Sequence, residues 1–236
     1  MKKNIISVVL LVISFIFISC SNDEIIYSCD KSTNEHIKKN LTYYSSMTRD
    51  EWLKLPDSLK NPVYLTFSPE RMYMFWLQKR DELLSLEWNE LEKKHINLLY
   101  DYIKDRPRFF YDEYFDNETL LTQFDVFMSN WYHFAINELS WNKAIAYYVA
   151  ASCDFFSDDM LLVCRPGGGG LGDVIIDDGG LGESSCMCNT VQDFCDPFGE
   201  TGGVSCKDKY SCEGSVQGCG WFWRQPCNGL CVGNFV

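Results

Sequence analysis

The chain has 236 residues, of which 46% are hydrophobic and 15% aromatic. This composition is typical of a globular protein with one or two domains. Asp and Glu number 33 against 21 Lys and Arg, so the formal net charge is −12. An acidic chain lacks the clustered cations that bind phosphate backbones, so no nucleic acid partner is expected. Twelve cysteines are too many for an ordinary cytosolic enzyme and favour an oxidising compartment.

The first twenty residues have the form of an export signal. Two lysines precede an apolar run of 14 residues, 5–18, which is shorter than the roughly 20 residues of a membrane-spanning helix. The run is followed by Ser19 and Cys20, and this junction resembles the lipobox of bacterial lipoproteins. The resemblance implies that residues 1–19 are a signal peptide and that Cys20 becomes the acylated first residue. A plain secretory signal with an incidental cysteine is the alternative.

A lipid anchor at Cys20 would hold the mature protein to a membrane without a spanning helix. Residues 21–24, Ser-Asn-Asp-Glu, resemble the surface-export tag of lipoproteins in the Bacteroidetes group, and a solvated acidic linker is the alternative. We therefore expect the membrane as a partner through the anchor and a location at the bacterial outer membrane or cell surface. Residues 20–46 are interpreted as a tether.

The glycine distribution divides the mature chain. All 16 glycines lie between Gly167 and Gly233. Glycine destabilises a helix interior by about 1 kcal/mol relative to alanine, so the glycine-free part favours helices. Thr48 and Ser68 have the context of helix N-caps. The sequence predicts a mainly α domain over residues 47–164, a small helical bundle with an aromatic core.

One apolar stripe within this region predicts a long helix that ends or kinks at Pro107. Its residues recur at steps of four and three, namely Leu84, Trp88, Leu91, His95, Leu98 and Tyr102.

The sequence contains no nucleotide-binding glycine loop, no serine-hydrolase elbow and no zinc-protease motif. Glu92 and His95 have the spacing of a di-iron ligand pair, but the second pair that such a site needs is absent. His95 is interpreted as a satisfied, partly buried residue. His133 could pair with Cys153 or Cys164, but a Cys153–Cys164 disulfide is the favoured interpretation in an exported chain. We expect no catalytic residue, no metal and no cofactor.

Residues 165–185 are predicted to be a linker. Eight of these 21 residues are glycine, and four are acidic. Such a segment buries little and is expected to be a flexible tether. A calcium loop is disfavoured because the Asp-x-Asp-x-Asp-Gly pattern is missing. Gly179-Gly180 resembles the double-glycine end of a bacteriocin leader, and general exposure to proteases is the favoured alternative.

The last 51 residues, 186–236, form a short cysteine-rich segment. A segment of this length buries too little apolar surface to stay folded alone, so four disulfides are expected. The spacing does not determine the pairing. Zinc is the disfavoured alternative, because no Cys-x-x-Cys pair and no later histidine are present. The eight cysteines are Cys186, Cys188, Cys195, Cys206, Cys212, Cys219, Cys227 and Cys231.

The spacing of these cysteines resembles fulvocin C, a small cysteine-dense bacteriocin of myxobacteria. The likeness lies in the opening Cys186-Met187-Cys188, in the intervals that follow, in Gly220-Trp221 and in the closing 231–235, Cys-Val-Gly-Asn-Phe. The interval between Cys195 and Cys206 is longer here, and the last two cysteines are more widely separated. The resemblance implies membership of the bacteriocin fulvocin C-related family, a shared disulfide topology and secretion.

The resemblance implies an antibacterial toxin or its precursor, with the helical region as carrier and segment 186–236 as effector. The effector would act on the envelope of related bacteria and could be released by cleavage. Trp221, Phe222 and Trp223 are candidates for the membrane or target contact, because Trp favours the headgroup interface. The favoured alternative is that they form the aromatic core of the segment itself. A non-toxic, surface-tethered binding or adhesion module is the alternative function, and an extracellular enzyme is the weakest.

The lipobox interpretation predicts the outcome of Cys20→Ser. Removing the only thiol that can accept the acyl chains should release the mature protein from membranes. Fractionation of cells that express the variant and the wild type measures this release. A variant that remains acylated and membrane-bound would contradict the assignment.

Overall fold

The computed structural model describes residues 25–28, 30–165, 188–191, 194–195, 205–208 and 216–232. The described part is mostly helical, with a small, irregular C-terminal region that contains four short strands. This confirms the predicted fold class. The signal peptide, Cys20 and residues 166–185 of the linker lie outside the described residues.

Ten α-helices cover most of residues 31–164. The two longest, α5 and α8, contain 16 and 20 residues. The helices are α1 Lys31–Lys39, α2 Leu41–Ser45, α3 Arg49–Trp52, α4 Asp57–Tyr64, α5 Pro69–Leu84, α6 Glu90–Lys104, α7 Asp112–Phe115, α8 Glu118–Asn137, α9 Lys143–Ala150 and α10 Asp158–Cys164.

Polar side chains fix where these helices begin. Thr48 forms the predicted capping box with Glu51, and Ser68 caps α5 ahead of Pro69. Asn89 forms a second capping box, because its side chain accepts from the backbone N–H groups of the first turn of α6 while Glu92 accepts from the Asn89 backbone N–H. These side chains satisfy backbone donors that have no partner within the helix.

The Asn89 cap corrects the prediction of one long helix through residues 84–102. The chain ends α5 at Leu84 and starts α6 at Glu90. The buried face of α6 is shifted from the predicted stripe, because Leu91 and Leu98 are 51% and 53% exposed whereas His95 and Tyr102 are buried. The buried face of α6 instead includes Ile96, Leu99, Tyr100 and Ile103.

The predicted tether, residues 20–46, is wrong over its second half. Asp30 caps α1 by accepting from the Thr33 backbone N–H. Ile37 of α1 and Tyr44 of α2 are buried in the main core, and α1 packs on α4. His36 Nε2 lies 2.7 Å from the Tyr44 hydroxyl. Among the described residues, the helical region therefore begins at residue 31.

The C-terminal strands form two antiparallel pairs. Strand β1, Ser205–Asp208, pairs with β4, Gly229–Val232, with Cys206 opposite Cys231. Strand β2, Val216–Cys219, pairs with β3, Gln225–Cys227, with a shift of register near Cys219. A tight turn at Trp221–Trp223 connects β2 and β3.

The aromatic residues of this turn belong to the same buried cluster as the helices. The prediction of two separate domains, 47–164 and 186–236, is therefore wrong for the described part of the C-terminal segment, because its buried turn and the helices form one continuous core. None of the described helices is long and apolar enough to cross a membrane.

His95 occupies the environment expected for a satisfied histidine. Its ring stacks on Trp131 at a centroid distance of 4.8 Å, and its Nε2 lies 3.0 Å from the Trp131 carbonyl oxygen. Glu92 is also used structurally, because its carboxylate accepts from Trp141 Nε1 and pairs with Arg165. Burial lowers the pKa of His95 to about 4.

This pKa predicts acid-sensitive stability. The unfolded chain binds a proton at His95 near pH 6.5, whereas the folded chain does so only near pH 4. The free energy of unfolding should therefore fall as the pH decreases through this window. His95→Gln should remove this part of the slope in urea titrations between pH 7 and 4. His133→Gln, at an exposed histidine, is the control, and an equal change in both variants would contradict the assignment.

Candidate functional site in the docked cysteine-rich segment

Two disulfides lie within the described part of the cysteine-rich segment. Cys188 pairs with Cys206, and Cys219 pairs with Cys227. Cys195 is also disulfide-bonded. The segment is therefore disulfide-rich, as the sequence predicts. The prediction for Cys186 and Cys212 lies outside the described residues, as does the side chain of Cys231.

The first disulfide belongs to a compact sulfur cluster. The sulfur atoms of Cys188, Cys195 and Cys206 lie within 4.8 Å of one another. Three clustered cysteine sulfurs could hold a soft metal ion if they were thiolates. Because these sulfurs are joined in disulfides in this structure, the geometry is that of a cross-linked framework. Cys188 also connects the start of the segment to β4 near its end, because the Cys188 backbone pairs with Gly229.

The second disulfide closes the loop that carries Trp221, Phe222 and Trp223. The chain reverses between β2 and β3 within eight residues. Phe222 and Trp223 have φ angles of 53° and 54°, in the left-handed region. This region costs an L-residue about 1–2 kcal/mol, and bulky aromatic residues rarely adopt it. Contacts outside the loop must therefore hold this conformation.

Phe222 provides the deepest of these contacts. Its ring has no exposed surface and lies between helices α5, α6 and the start of the loop before α7. The centroids of Trp76, Phe109 and Tyr100 lie 4.8, 5.6 and 5.9 Å away, all in edge-to-face geometry. This geometry is the favoured one for aromatic pairs.

Trp223 and Trp221 occupy neighbouring positions on either side. Trp223 contacts Tyr64 at 5.0 Å and Trp52 at 5.8 Å between centroids. Its Nε1 donates to the Ala151 carbonyl oxygen at 2.8 Å, so the buried indole N–H is satisfied. Trp221 packs against Trp131 of α8.

In this conformation Trp221, Phe222 and Trp223 are buried and form no membrane or target contact. Their exposed fractions are 3%, 0% and 9%, so none of the three can reach a membrane or a partner. The alternative that these residues form a core is correct, although the core is that of the helical region. We name Trp221, Phe222 and Trp223 the aromatic turn.

Two polar anchors surround the aromatic turn. Asn61 of α4 donates from Nδ2 to the Gly218 carbonyl oxygen. Arg224 is buried, and its Nη2 donates to the Tyr111 carbonyl oxygen at 3.3 Å and to Asp112 Oδ1 at 3.4 Å. Its guanidinium carbon lies 4.5 Å from the centre of the Phe115 ring, a cation–π contact. Burial lowers the pKa of Arg224.

No pattern in the sequence selects Asn61 or Arg224. Both act through contacts between residues that are more than 100 positions apart along the chain. One signal was present in the sequence, namely the two glycines on either side of Cys219. In the structure, Gly218 and Gly220 both have positive φ angles. Glycines at these positions indicate a sharply turned loop next to an aromatic cluster.

Cys153 does not form the expected disulfide with Cys164. Cys153 is a buried free thiol, and it lies at the core beside the charged side chains of Arg49 and Lys79. Cys164, also buried, ends helix α10. Burial raises the pKa of the Cys153 thiol. A protonated, buried thiol is not the activated form of a nucleophilic cysteine, and His133, the other member of the pair considered, is exposed.

Lys79 is a buried cation that sequence reasoning missed. Its side chain has no exposed surface, and its Nζ donates to the Asp154 carbonyl oxygen. Burial lowers the pKa of Lys79 to about 7. Nearby, Arg49 makes two hydrogen bonds to the Glu82 carboxylate, at 2.5 and 2.7 Å. These contacts connect α5 to α3 and to the segment after α9.

Comparison of the chain with protein-family models, with curated proteins and with solved structures finds no match.

The docking of the aromatic turn predicts a large effect of Phe222→Ala. Deletion of a fully buried phenylalanine ring costs about 3–5 kcal/mol. Because Phe222 contacts the helical region, the loss should appear in urea unfolding followed by the helical circular dichroism signal. Phe155→Ala, at a side chain that is 57% exposed, is the matched control and should change stability little. Equal, small effects would contradict the docked arrangement.

Proposed function

We propose that the protein is an exported, lipid-anchored member of the bacteriocin fulvocin C-related group, with segment 186–236 as a disulfide-stabilised antibacterial effector. The observation that carries the proposal is the spacing of the eight cysteines together with the disulfides Cys188–Cys206 and Cys219–Cys227 within it. A shared spacing has meaning for activity only if it encodes cross-links.

The helical region supports the role of a carrier that performs no chemistry. The buried thiol of Cys153 is protonated, Lys79 Nζ donates to the Asp154 carbonyl oxygen, and Arg49 donates from Nε and Nη2 to Glu82. Glu92 and His95, the sequence candidate for a metal pair, serve Asn89, Trp141 and Trp131. These side chains, all of them among the described residues, thus serve packing and capping.

The charge of the segment argues against general attraction to anionic lipids. Residues 186–236 contain three basic residues (Lys or Arg) and five acidic residues (Asp or Glu). Anionic membranes attract basic segments by about 1 kcal/mol per charge, and this segment lacks that attraction. The proposed effector therefore recognises a specific component of the envelope of related bacteria.

A second candidate is a non-toxic module that is tethered to the surface and binds a ligand or another cell. The shared core favours this function, because a segment whose aromatic turn fills the helical core is built to stay attached. The lipid anchor would then present both parts together.

Growth inhibition separates the two candidates. The experiment uses the mature chain with Cys20→Ser and with a protease site inserted between Gly179 and Gly180. This chain is folded under oxidising conditions and cut at the inserted site. The segment is then isolated with its disulfides intact. The toxin function predicts that this segment clears lawns of related bacteria, whereas a reduced and alkylated sample does not. A segment with intact disulfides that clears no lawn would contradict the toxin and favour the binding module.

A further inference from the structure

The helical region holds the aromatic turn in a receptor surface built from several helices. The receptor surface is made by Trp52, Tyr64, Trp76, Tyr100, Phe109 and Trp131, which all contact the turn. These residues come from α3, α4, α5, α6, the loop before α7, and α8. One loop of the C-terminal segment therefore contacts five of the ten described helices.

The composition of the contact is that of a high-affinity interface. Trp, Tyr and Arg dominate the residues that carry binding energy between proteins, especially where they are fully desolvated. The turn offers two Trp, one Phe and the adjacent Arg224, all of them buried. Each aromatic side chain buries about 150–250 Å² of surface. Asn61 and Asp112 add directed polar contacts at the edge.

The loop is also prepared for this contact. The Cys219–Cys227 disulfide closes the loop, so the free segment has fewer conformations to lose on docking. The left-handed conformation of Phe222 and Trp223 fits the receptor. If the turn left, six apolar rings of the helical region would lose their partner at the same time.

We propose that the helical region binds the aromatic turn non-covalently and is a built-in inhibitor of the cysteine-rich segment. Cutting the chain in the linker is then insufficient for release, because the receptor retains the segment. Activity requires the aromatic turn to leave the receptor, and only then can its Trp and Phe side chains reach an envelope target. This proposal deepens the proposed function and rests on it.

The test uses the full mature chain with the protease site at Gly179-Gly180. After cutting without denaturant, the two pieces should elute together on size exclusion, and the cut protein should inhibit growth as weakly as the uncut protein. Separate elution of the pieces would overturn the proposal. Joint elution with full growth inhibition would overturn it as well.

A variant in the receptor leaves the effector sequence unchanged. Asn61→Ala removes the donor to Gly218 and should weaken retention of the cut segment by about tenfold. Asn137→Ala is the matched control, because Asn137 donates within its own helix, to the His133 carbonyl oxygen. The proposal predicts that only Asn61→Ala increases both the released fraction and the growth inhibition. Circular dichroism verifies that both variants are folded.

The two failures are distinguishable. If the cut pieces elute together and the isolated segment inhibits nothing, the antibacterial function fails, and the inhibitor role fails with it. If the isolated segment inhibits growth but the cut pieces separate freely, the antibacterial function stands and the inhibitor role is overturned. If Asn61→Ala releases more segment without more inhibition, docking does not control activity, and the proposal is overturned.

Discussion

Burial of Phe222 in the helical region is the contact on which the rest of the structure depends. Its ring fills a space bordered by Trp76, Tyr100 and Phe109, which belong to different helices and loops. Without the Phe222 ring, each of the surrounding rings would lose its dispersion contacts with it and a cavity would remain. The helices therefore need the turn as much as the turn needs the helices. A chain that reads as two regions in composition has one core in the described structure.

Local signals in the sequence predicted local structure correctly. The side chains of Thr48 and Ser68 cap the helices that were predicted from them, because capping is a contact between neighbours. The first helices were missed because α1 and α2 are short and carry few buried residues, chiefly Ile37 and Tyr44. Such helices are stabilised by tertiary packing, and with Ile37 as the one apolar residue of α1 there is no repeated apolar position to indicate a helix.

The site could be predicted only in part, because its decisive contacts are non-local. The many cysteines predict a disulfide-rich segment, because a segment this short buries too little apolar surface to stay folded without cross-links. The position of the aromatic turn depends on Asn61 and Gly218, which are 157 residues apart along the chain. Three consecutive aromatic residues suit a membrane edge as well as a core, so the sequence favoured a core within the segment without excluding the membrane edge. The receptor decides between them, and its rings are dispersed over six elements.

The shared core also changes what the disulfides stabilise. A cross-link in an independent segment would act on that segment alone, by restricting its unfolded state. The Cys219–Cys227 cross-link instead closes the loop that fills the helical core. Opening it would give the strained Phe222 and Trp223 backbone access to relaxed conformations that do not fit the receptor. The stability of the helical region is thereby coupled to a disulfide more than fifty residues beyond its last helix. In an oxidising compartment this coupling keeps the aromatic turn docked, and any activity that needs the turn must overcome it.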